Sequence, residues 1–431
     1  MSRKIILCFD GTGNEIGVTK TNVLKLYKGL RDDRSQLKHY VPGIGTLEGP
    51  KLVNSALLRN TRSLLGLAFG RGLENDVLGA YSFLCKNYRD GLGAGHHGRD
   101  RIYIFGFSRG AYAARVLAGF IYNFGLLKPE RLHLVAEVFR AYRQVTETER
   151  GPDDSVTFAK LRAYGEVLRP KVSVPIRALG LFDTVASMVR FHKPLKTLWE
   201  TGSIIELGTH ANVVENPSIR IVLQALAVDE RRSMFRPLFW QGTDYYPNRF
   251  PHEPNRRTQY LKQRWFSGFH SDIGGSTGAN AEIGKLTLSW MLDALAQAEL
   301  KADQEDAFAK GRKLKKTKGF VLNAKFKREN LCLPLPHMPS KLTSKWHNPY
   351  AMAPIHPSMS MGWMPLEYMI PKTRARREWP HPKSGLPWYL PQQEPRNIPT
   401  DHEIDDSVFS RMAGHATYRP INVLERRKDQ S

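Results

Sequence analysis

At 431 residues, 41% of them hydrophobic, the chain can bury a large core in one large domain or two modest ones. No run approaches the roughly 18 uninterrupted apolar residues of a spanning helix, and the apolar start, Lys4-Ile5-Ile6-Leu7-Cys8-Phe9, is too short for a secretory signal. The formal charge of +23 points towards anionic surfaces, while three cysteines far apart and without metal-type spacing fit a cytoplasmic, reducing origin.

The spacing of apolar residues predicts a strand near 4–9 that opens into the small-residue loop Asp10-Gly11-Thr12-Gly13-Asn14. Such a loop exposes backbone N–H groups, which suit it to stabilise a developing oxyanion, with Asp10 bonding inside the turn. A helix follows over 22–31. Leu64 to Gly72, small and apolar with three glycines, reads as a loop before a helix over 73–88. Residues 101–106 form an apolar, β-branched and aromatic strand, and 110–124 a helix rich in small residues.

Between these two elements lies Gly106-Phe107-Ser108-Arg109-Gly110, which fits the G-x-S-x-G nucleophile elbow. A Cβ at Gly106 or Gly110 would collide with the neighbouring strand or helix, so both positions require glycine if Ser108 is to be held out on a sharp turn. One oxyanion donor would then be the N–H of Arg109, and the second that of Gly11 or Thr12.

A serine on such an elbow needs a base and an acid to orient it, in the chain order Ser, Asp, His. After an amphipathic helix over 130–147, Val174 to Phe182 reads as a second apolar strand, ending in Asp183. A third, Arg264-Trp265-Phe266, runs into Gly268-Phe269-His270-Ser271-Asp272 and a glycine-rich loop. Both candidates fall at carboxyl ends of strands, where open α/β sheets place their chemistry. Among the other histidines, His96, His97, His381 and His402 sit in polar or Pro-rich stretches and read as solvated.

From 186 to 260 the regular pattern fades, and aromatic insertions around Phe191–Trp199 and Phe235–Trp240 suggest a lid over the sheet. Residues 285–299 are helical. Lys310, Arg312, Lys313, Lys315, Lys316, Lys318, Lys325, Lys327 and Arg328 form a basic run, a solvated segment that could also hold an enzyme on an anionic membrane. The tail from about 330 is rich in Pro, Trp and Met without a clear period, as in irregular structure packed over a core. The expected organisation is a catalytic domain over 1–300 with a lid-like insertion near 186–260, a basic segment over 301–330 and a C-terminal extension over 331–431.

Several motifs in order resemble the catalytic domain of the type VI secretion phospholipase effectors of the first lipase-effector class, and their uncharacterised relatives. They are Phe9-Asp10-Gly11-Thr12-Gly13-Asn14, Thr21-Asn22-Val23, Gly106 to Ala111, Gly180-Leu181-Phe182-Asp183-Thr184-Val185 and Asp229-Glu230-Arg231-Arg232. Gly268 to Gly275 and Tyr418-Arg419-Pro420-Ile421-Asn422 complete the set. The resemblance implies an α/β-hydrolase fold: a mostly parallel sheet flanked by helices. It also implies Ser108 as nucleophile, Asp183 as orienting acid and His270 as base, the residues already chosen. It further implies a lipid or acyl-ester substrate, secretion or immunity partners, and delivery to a target cell without a signal peptide. No metal or organic cofactor is required for this chemistry, and nothing suggests specific nucleic-acid recognition. Two rivals stand beside it: a metal-dependent phosphoesterase using Asp10, Asp183, His270 and Asp272, and a non-catalytic basic binding protein.

Overall fold

A computed structural model of the chain describes residues 2–11, 20–43, 61–91, 98–147, 158–185, 188–191, 205–208, 210–247, 256–277, 281–309, 352–359, 364–369, 372–373, 377, 379 and 388–428. The strands of the main sheet are β1 (Lys4–Phe9), β2 (Gln36–Val41), β3 (Arg101–Phe107), β4 (Ile176–Phe182), β5 (Ile219–Ala227), β6 (Tyr260–Phe266) and β7 (Glu403–Ile404). The helices are α1 (Asn22–Gly29), α2 (Thr61–Asn87), α3 (Ser108–Phe124), α4 (Val135–Glu147), α5 (Ala159–Leu168), α6 (His270–Gly274), α7 (Glu282–Ala309), α8 (Met364–Tyr368), α9 (Asp406–Gly414) and α10 (Ile421–Lys428). The strands lie in the order β7-β6-β5-β4-β3-β1-β2, and every neighbouring pair is parallel. The result is an α/β-hydrolase-like fold, as expected.

The two-residue period of the central strands explains the three layers. Ile5, Leu7, Phe9, Ile102, Ile104, Leu179 and Leu181 point to one face, where they pack with α2, α3 and α4. Ile6, Cys8, Tyr103, Phe105, Phe107, Ala178 and Phe182 point to the other, against α1 and α7. Because both faces are covered, the strands are apolar throughout rather than alternating. Helix α3 is buried on nearly all sides, which its Ala113, Ala114, Ala118 and Gly119 permit. A smaller cluster joins Leu226, Val228 and Trp265 to Ile398, Val408, Met412 and Val423, tying the C-terminal segment to β5 and β6.

The amino ends of the strands carry charge. Arg101 and Arg177 reach Asp303 on α7 at 3.2 and 2.6 Å, and Arg220 and Arg257 pair with Glu305 and Asp306. These pairs fasten the far end of α7 to the sheet, leaving the carboxyl ends of the strands for the site.

Four expectations change. Leu64–Gly72 belongs to α2 rather than to a loop, since the helix begins at Thr61. Within the stretch where pattern fades lies β5, whose nine residues are all buried. The helix expected over 130–147 is a 3₁₀ turn, Pro129–Leu134, followed by α4. His402 is buried rather than solvated, because the Pro-rich tail folds over β6: it accepts a bond from Trp265 Nε1 at 3.1 Å and lies 2.9 Å from Gln263 Nε2. Of the expected lid, the described parts include the antiparallel pair Met188–Phe191 and Ile205–Gly208. The basic run over Lys310–Arg328 and His96, His97 and His381 lie outside the described residues. Among the described residues, no helix is long and apolar enough to cross a membrane.

Candidate active site

The strand order changes direction between β1 and β3, the switch point at which open parallel sheets place their binding crevice. Phe9 lies opposite Gly106, so the Asp10-Gly11 loop runs beside Ser108. At Gly110 a Cβ would come within 2.3 Å of the Asp10 carbonyl oxygen, and at Gly106 within 2.5 Å of Ala111 Cα. Both elbow glycines are therefore required by close backbone approach. Ser108 itself adopts φ 58°, a left-handed conformation that costs a non-glycine residue on the order of 1–3 kcal/mol. Packing of β3 and α3 holds it there.

Asp183 follows β4 and also takes a left-handed backbone, φ 44°, which a short polar side chain tolerates. His270 opens α6 after β6. Across a sequence separation of 162 residues, Ser108 Oγ lies 2.7 Å from His270 Nε2. On the other side of the ring, His270 Nδ1 lies 2.6 Å from Asp183 Oδ2. All three side chains are buried. Phe107 and Phe235 approach the imidazole at 4.9 Å, one tilted and one edge-on, and shield it from water.

Burial alone would raise the Asp183 carboxyl. The adjoining Arg396 charge and the His270 bond outweigh it and hold the group well below the usual carboxylate range. Arg396 was not singled out from the sequence. It is 1% exposed and grips both carboxylate oxygens, Nη1 to Oδ1 at 2.6 Å and Nη2 to Oδ2 at 2.9 Å. It also donates to the Ala227 carbonyl at 3.2 Å and to that of Phe235. The Ala227 N–H gives Asp183 Oδ1 a further bond at 3.1 Å.

The remaining motif residues brace this centre. Glu230 accepts the His270 N–H at 3.2 Å and is itself clasped by Arg232 at 2.7 and 2.8 Å. Burial opposes the Glu230 charge, but Arg232 prevails and lowers its pKa. Asp229 accepts from the Gly268 N–H at 2.7 Å and from the Tyr418 hydroxyl at 2.8 Å. Asn422 donates to the carbonyls of Val228 and Arg396. Asp10 reaches beyond its own loop, accepting from Thr21 Oγ1 at the start of α1 at 2.6 Å and from Tyr40 OH on β2 at 2.7 Å.

The Gly11 N–H already donates to Asp10 Oδ1 at 2.7 Å, and Thr12 lies outside the described residues. Arg109 is the second residue of α3, in the first turn, where backbone N–H groups have no partner within the helix itself; burial lowers its guanidinium to about 10. Of the four candidate metal donors, Asp183 and His270 are bonded to each other, while Asp10 and Asp272 bond to other groups. Asp272 caps its own helix by accepting the Phe269 N–H at 3.1 Å and shares a 2.7 Å bond with His356 Nδ1. Among the described residues, no group of three or more His, Cys, Asp or Glu side chains could hold a metal ion.

A parallel sheet with a serine elbow at its switch point, facing a histidine and a carboxylate from later strand ends, defines a protein of the α/β-hydrolase class. The chain belongs to the family described as T6SS, phospholipase effector Tle1-like, catalytic domain, whose model matches residues 3–294. Over 254 residues it is 32% identical to Uncharacterized protein YEL023C of Saccharomyces cerevisiae, covering 58% of this chain and 34% of that protein. The chain thus spans about a third of the length of that relative. Among solved structures it is similar to an uncharacterized protein from Pseudomonas aeruginosa, at 17% identity and a TM-score of 0.32, covering 68% of this chain and 46% of that one. It is also similar to the Tle1 effector bound to the VgrG spike of the type 6 secretion system, at 20% identity and a TM-score of 0.30, covering 64% and 51%.

Proposed function

We propose that the chain is a serine hydrolase that cleaves acyl esters, with phospholipid as its substrate class. The observation that carries this reading is the bond sequence Ser108 Oγ, His270, Asp183, at 2.7 and 2.6 Å. His270 Nε2 takes the Ser108 proton as Oγ attacks the carbonyl carbon of the ester. Asp183 accepts from Nδ1–H, fixes the ring orientation and stabilises the imidazolium. The protonated imidazole then passes its proton to the leaving alcohol, and an acyl-Ser108 ester remains. Water, deprotonated by the same imidazole, releases the acid and restores the serine.

The N–H of Arg109 is one oxyanion donor in this scheme, and the second comes from the Gly11–Thr12 loop. Gly11 would serve only after exchanging its bond to Asp10. Family membership supports the lipid substrate and delivery by a type VI apparatus; a spike protein of the VgrG kind and an immunity protein are the partners this reading expects. The basic run over Lys310–Arg328 would draw the enzyme to anionic bilayers.

Labelling by a fluorophosphonate probe tests the reading directly. Wild-type protein labels at Ser108 and hydrolyses short-chain esters. The Ser108→Ala and His270→Ala variants do neither. A folded Ser108→Ala protein that kept near-normal ester hydrolysis would overturn the assignment.

A further inference from the structure

Beside the loop that carries His270, the structure forms a cavity of about 460 Å³ that is distinct from the serine elbow. Its walls come from the turn after β5, the segment around Ile355–Met359 and the C-terminal end of α9 with the residues that follow. Four cationic or imidazole side chains line it: Arg231, Arg411, His356 and His415. One carboxylate, Asp229, faces them, and its Oδ2 already accepts the Gly268 N–H and the Tyr418 hydroxyl.

The guanidinium of Arg231 is the informative group. Its backbone N–H meets Ser358 Oγ at 3.3 Å, but its side chain donates no hydrogen bond and makes no ion pair among the described residues. Burial lowers its pKa, and the attraction of Asp229 only partly offsets that cost. A half-buried, under-compensated guanidinium in a polar cavity has the chemistry to receive an anion, since Arg presents a planar fork matched to carboxylate and phosphate oxygens. Arg411 is set in place beside it by a 2.6 Å bond to the Ala353 carbonyl and by lying over the Tyr418 ring at 5.2 Å. The hydroxyls of Ser358 and Thr417 add neutral donors to the same wall. Two arginines, two imidazoles and two hydroxyls around one engaged carboxylate suit a compact oxyacid and are poorly suited to an acyl chain.

We propose that this cavity binds a phosphate or phosphodiester group, with Arg231 as its principal donor. Its position ties it to the candidate active site. Arg231 follows Glu230, which accepts the His270 N–H, and His356 is bonded to Asp272, two residues beyond His270. The phosphate is either the headgroup of the phospholipid being cleaved or a free phosphate. The headgroup alternative rests on the hydrolase reading above; the binding site does not.

The experiment uses the full chain in two arms. In the first, inorganic phosphate is titrated by calorimetry against wild type, Arg231→Gln, His415→Gln and, as a control at another basic surface, Arg256→Gln. Wild type and the control bind saturably, Arg231→Gln binds at least tenfold more weakly, and His415→Gln is weakened by less. In the second arm, kinetics are compared on phosphatidylglycerol vesicles and on p-nitrophenyl butyrate. A headgroup site raises KM on vesicles at least tenfold in Arg231→Gln and leaves p-nitrophenyl butyrate turnover unchanged. A free-phosphate site leaves both kinetic measurements unchanged while calorimetric binding is lost. The proposal is overturned if phosphate does not saturate wild type, or if Arg231→Gln and wild type, with matching circular dichroism, bind it equally. Should wild type hydrolyse neither substrate, the hydrolase reading fails, and the calorimetry still decides the cavity.

Discussion

Replacing Arg396 by methionine should damage the candidate site although Arg396 lies outside the Ser108, Asp183 and His270 set. The change removes two bonds to Asp183, at 2.6 and 2.9 Å, from a pair whose members are 1% and 0% exposed. Losing one partner of a buried pair costs roughly 3–5 kcal/mol, because the other charge is left without compensation. Asp183 keeps the Ala227 N–H and the His270 bond, so the lower end of that range, about 3 kcal/mol, is expected in denaturant unfolding.

Catalysis should fall for a related reason. Asp-to-Asn replacement in such a triad costs about 10⁴ in kcat. Arg396→Met retains the carboxylate but loosens its aim, so a fall of about 10²-fold is expected, equivalent to about 2.7 kcal/mol. KM on p-nitrophenyl butyrate should not move, since the Arg396 guanidinium is directed at Asp183 and at the Ala227 and Phe235 carbonyls. Without the guanidinium, burial governs Asp183 and its pKa rises. The acid limb of kcat/KM should then shift to higher pH. Arg396→Lys should recover part of the stability and the limb but not the bidentate grip. The double variant Arg396→Met with Asp183→Asn should be less destabilised than the two single changes added together. A variant within 1 kcal/mol of wild type, with its acid limb in place, would refute the argument.

Gly110→Ala should abolish fluorophosphonate labelling, because its methyl group would sit 2.3 Å from the Asp10 carbonyl oxygen; labelling at the wild-type rate would mean that the elbow can open. Tyr418→Phe should cost about 1 kcal/mol by stripping a bond from the partly buried Asp229 carboxylate, measured as a lower midpoint in urea. Asp183 has a folded pKa below its unfolded value of about 3.9. Its contribution to stability is therefore full above about pH 4 and is lost as pH falls through the folded value. The stability gap between wild type and Asp183→Asn should accordingly narrow only below about pH 4, and a gap closing near neutrality would contradict the assignment. Buried Cys8 and Cys85, both with thiol pKa values raised by burial, Cys85 to about 12, should resist a thiol reagent at pH 8 until the protein unfolds, as read by peptide mapping.

What was legible in the sequence is what local chemistry dictates. The runs that form β1, β3 and β4 are apolar because both faces of a central parallel strand are covered, and Ser108 is marked by glycines that backbone crowding requires. Asp183 and His270 stand out because the carboxyl ends of parallel strands meet at one edge. β5 escaped notice because its run contains Arg220 and Gln224, whose polar ends are met by partners far away in the chain. Arg220 reaches Glu305 and the Thr258 carbonyl, and Gln224 pairs with Arg115 and the Leu238 carbonyl. Such a strand matches neither an alternating nor a purely apolar pattern. The glycines at Gly66, Gly70 and Gly72 suggested a break, yet α2 runs through all three, a case of tertiary context overriding propensity.

Arg396 had no local signal at all. It lies in Gln393-Glu394-Pro395-Arg396-Asn397, a stretch without period, and its partner is 213 residues away. The family model ends at residue 294, yet the carboxylate at the centre of the candidate site is held ionised by a side chain beyond that boundary. Tyr418 and Asn422 repeat the arrangement, one bonding Asp229 and the other bonding the carbonyls of Val228 and Arg396. The matched region supplies the serine, the histidine and the carboxylate, and the C-terminal segment supplies the charge that makes burying that carboxylate affordable. A buried Asp183 without Arg396 would protonate more readily and hold the imidazolium less well. The chemistry proposed for residues 3–294 therefore depends on a segment whose sequence announces none of it.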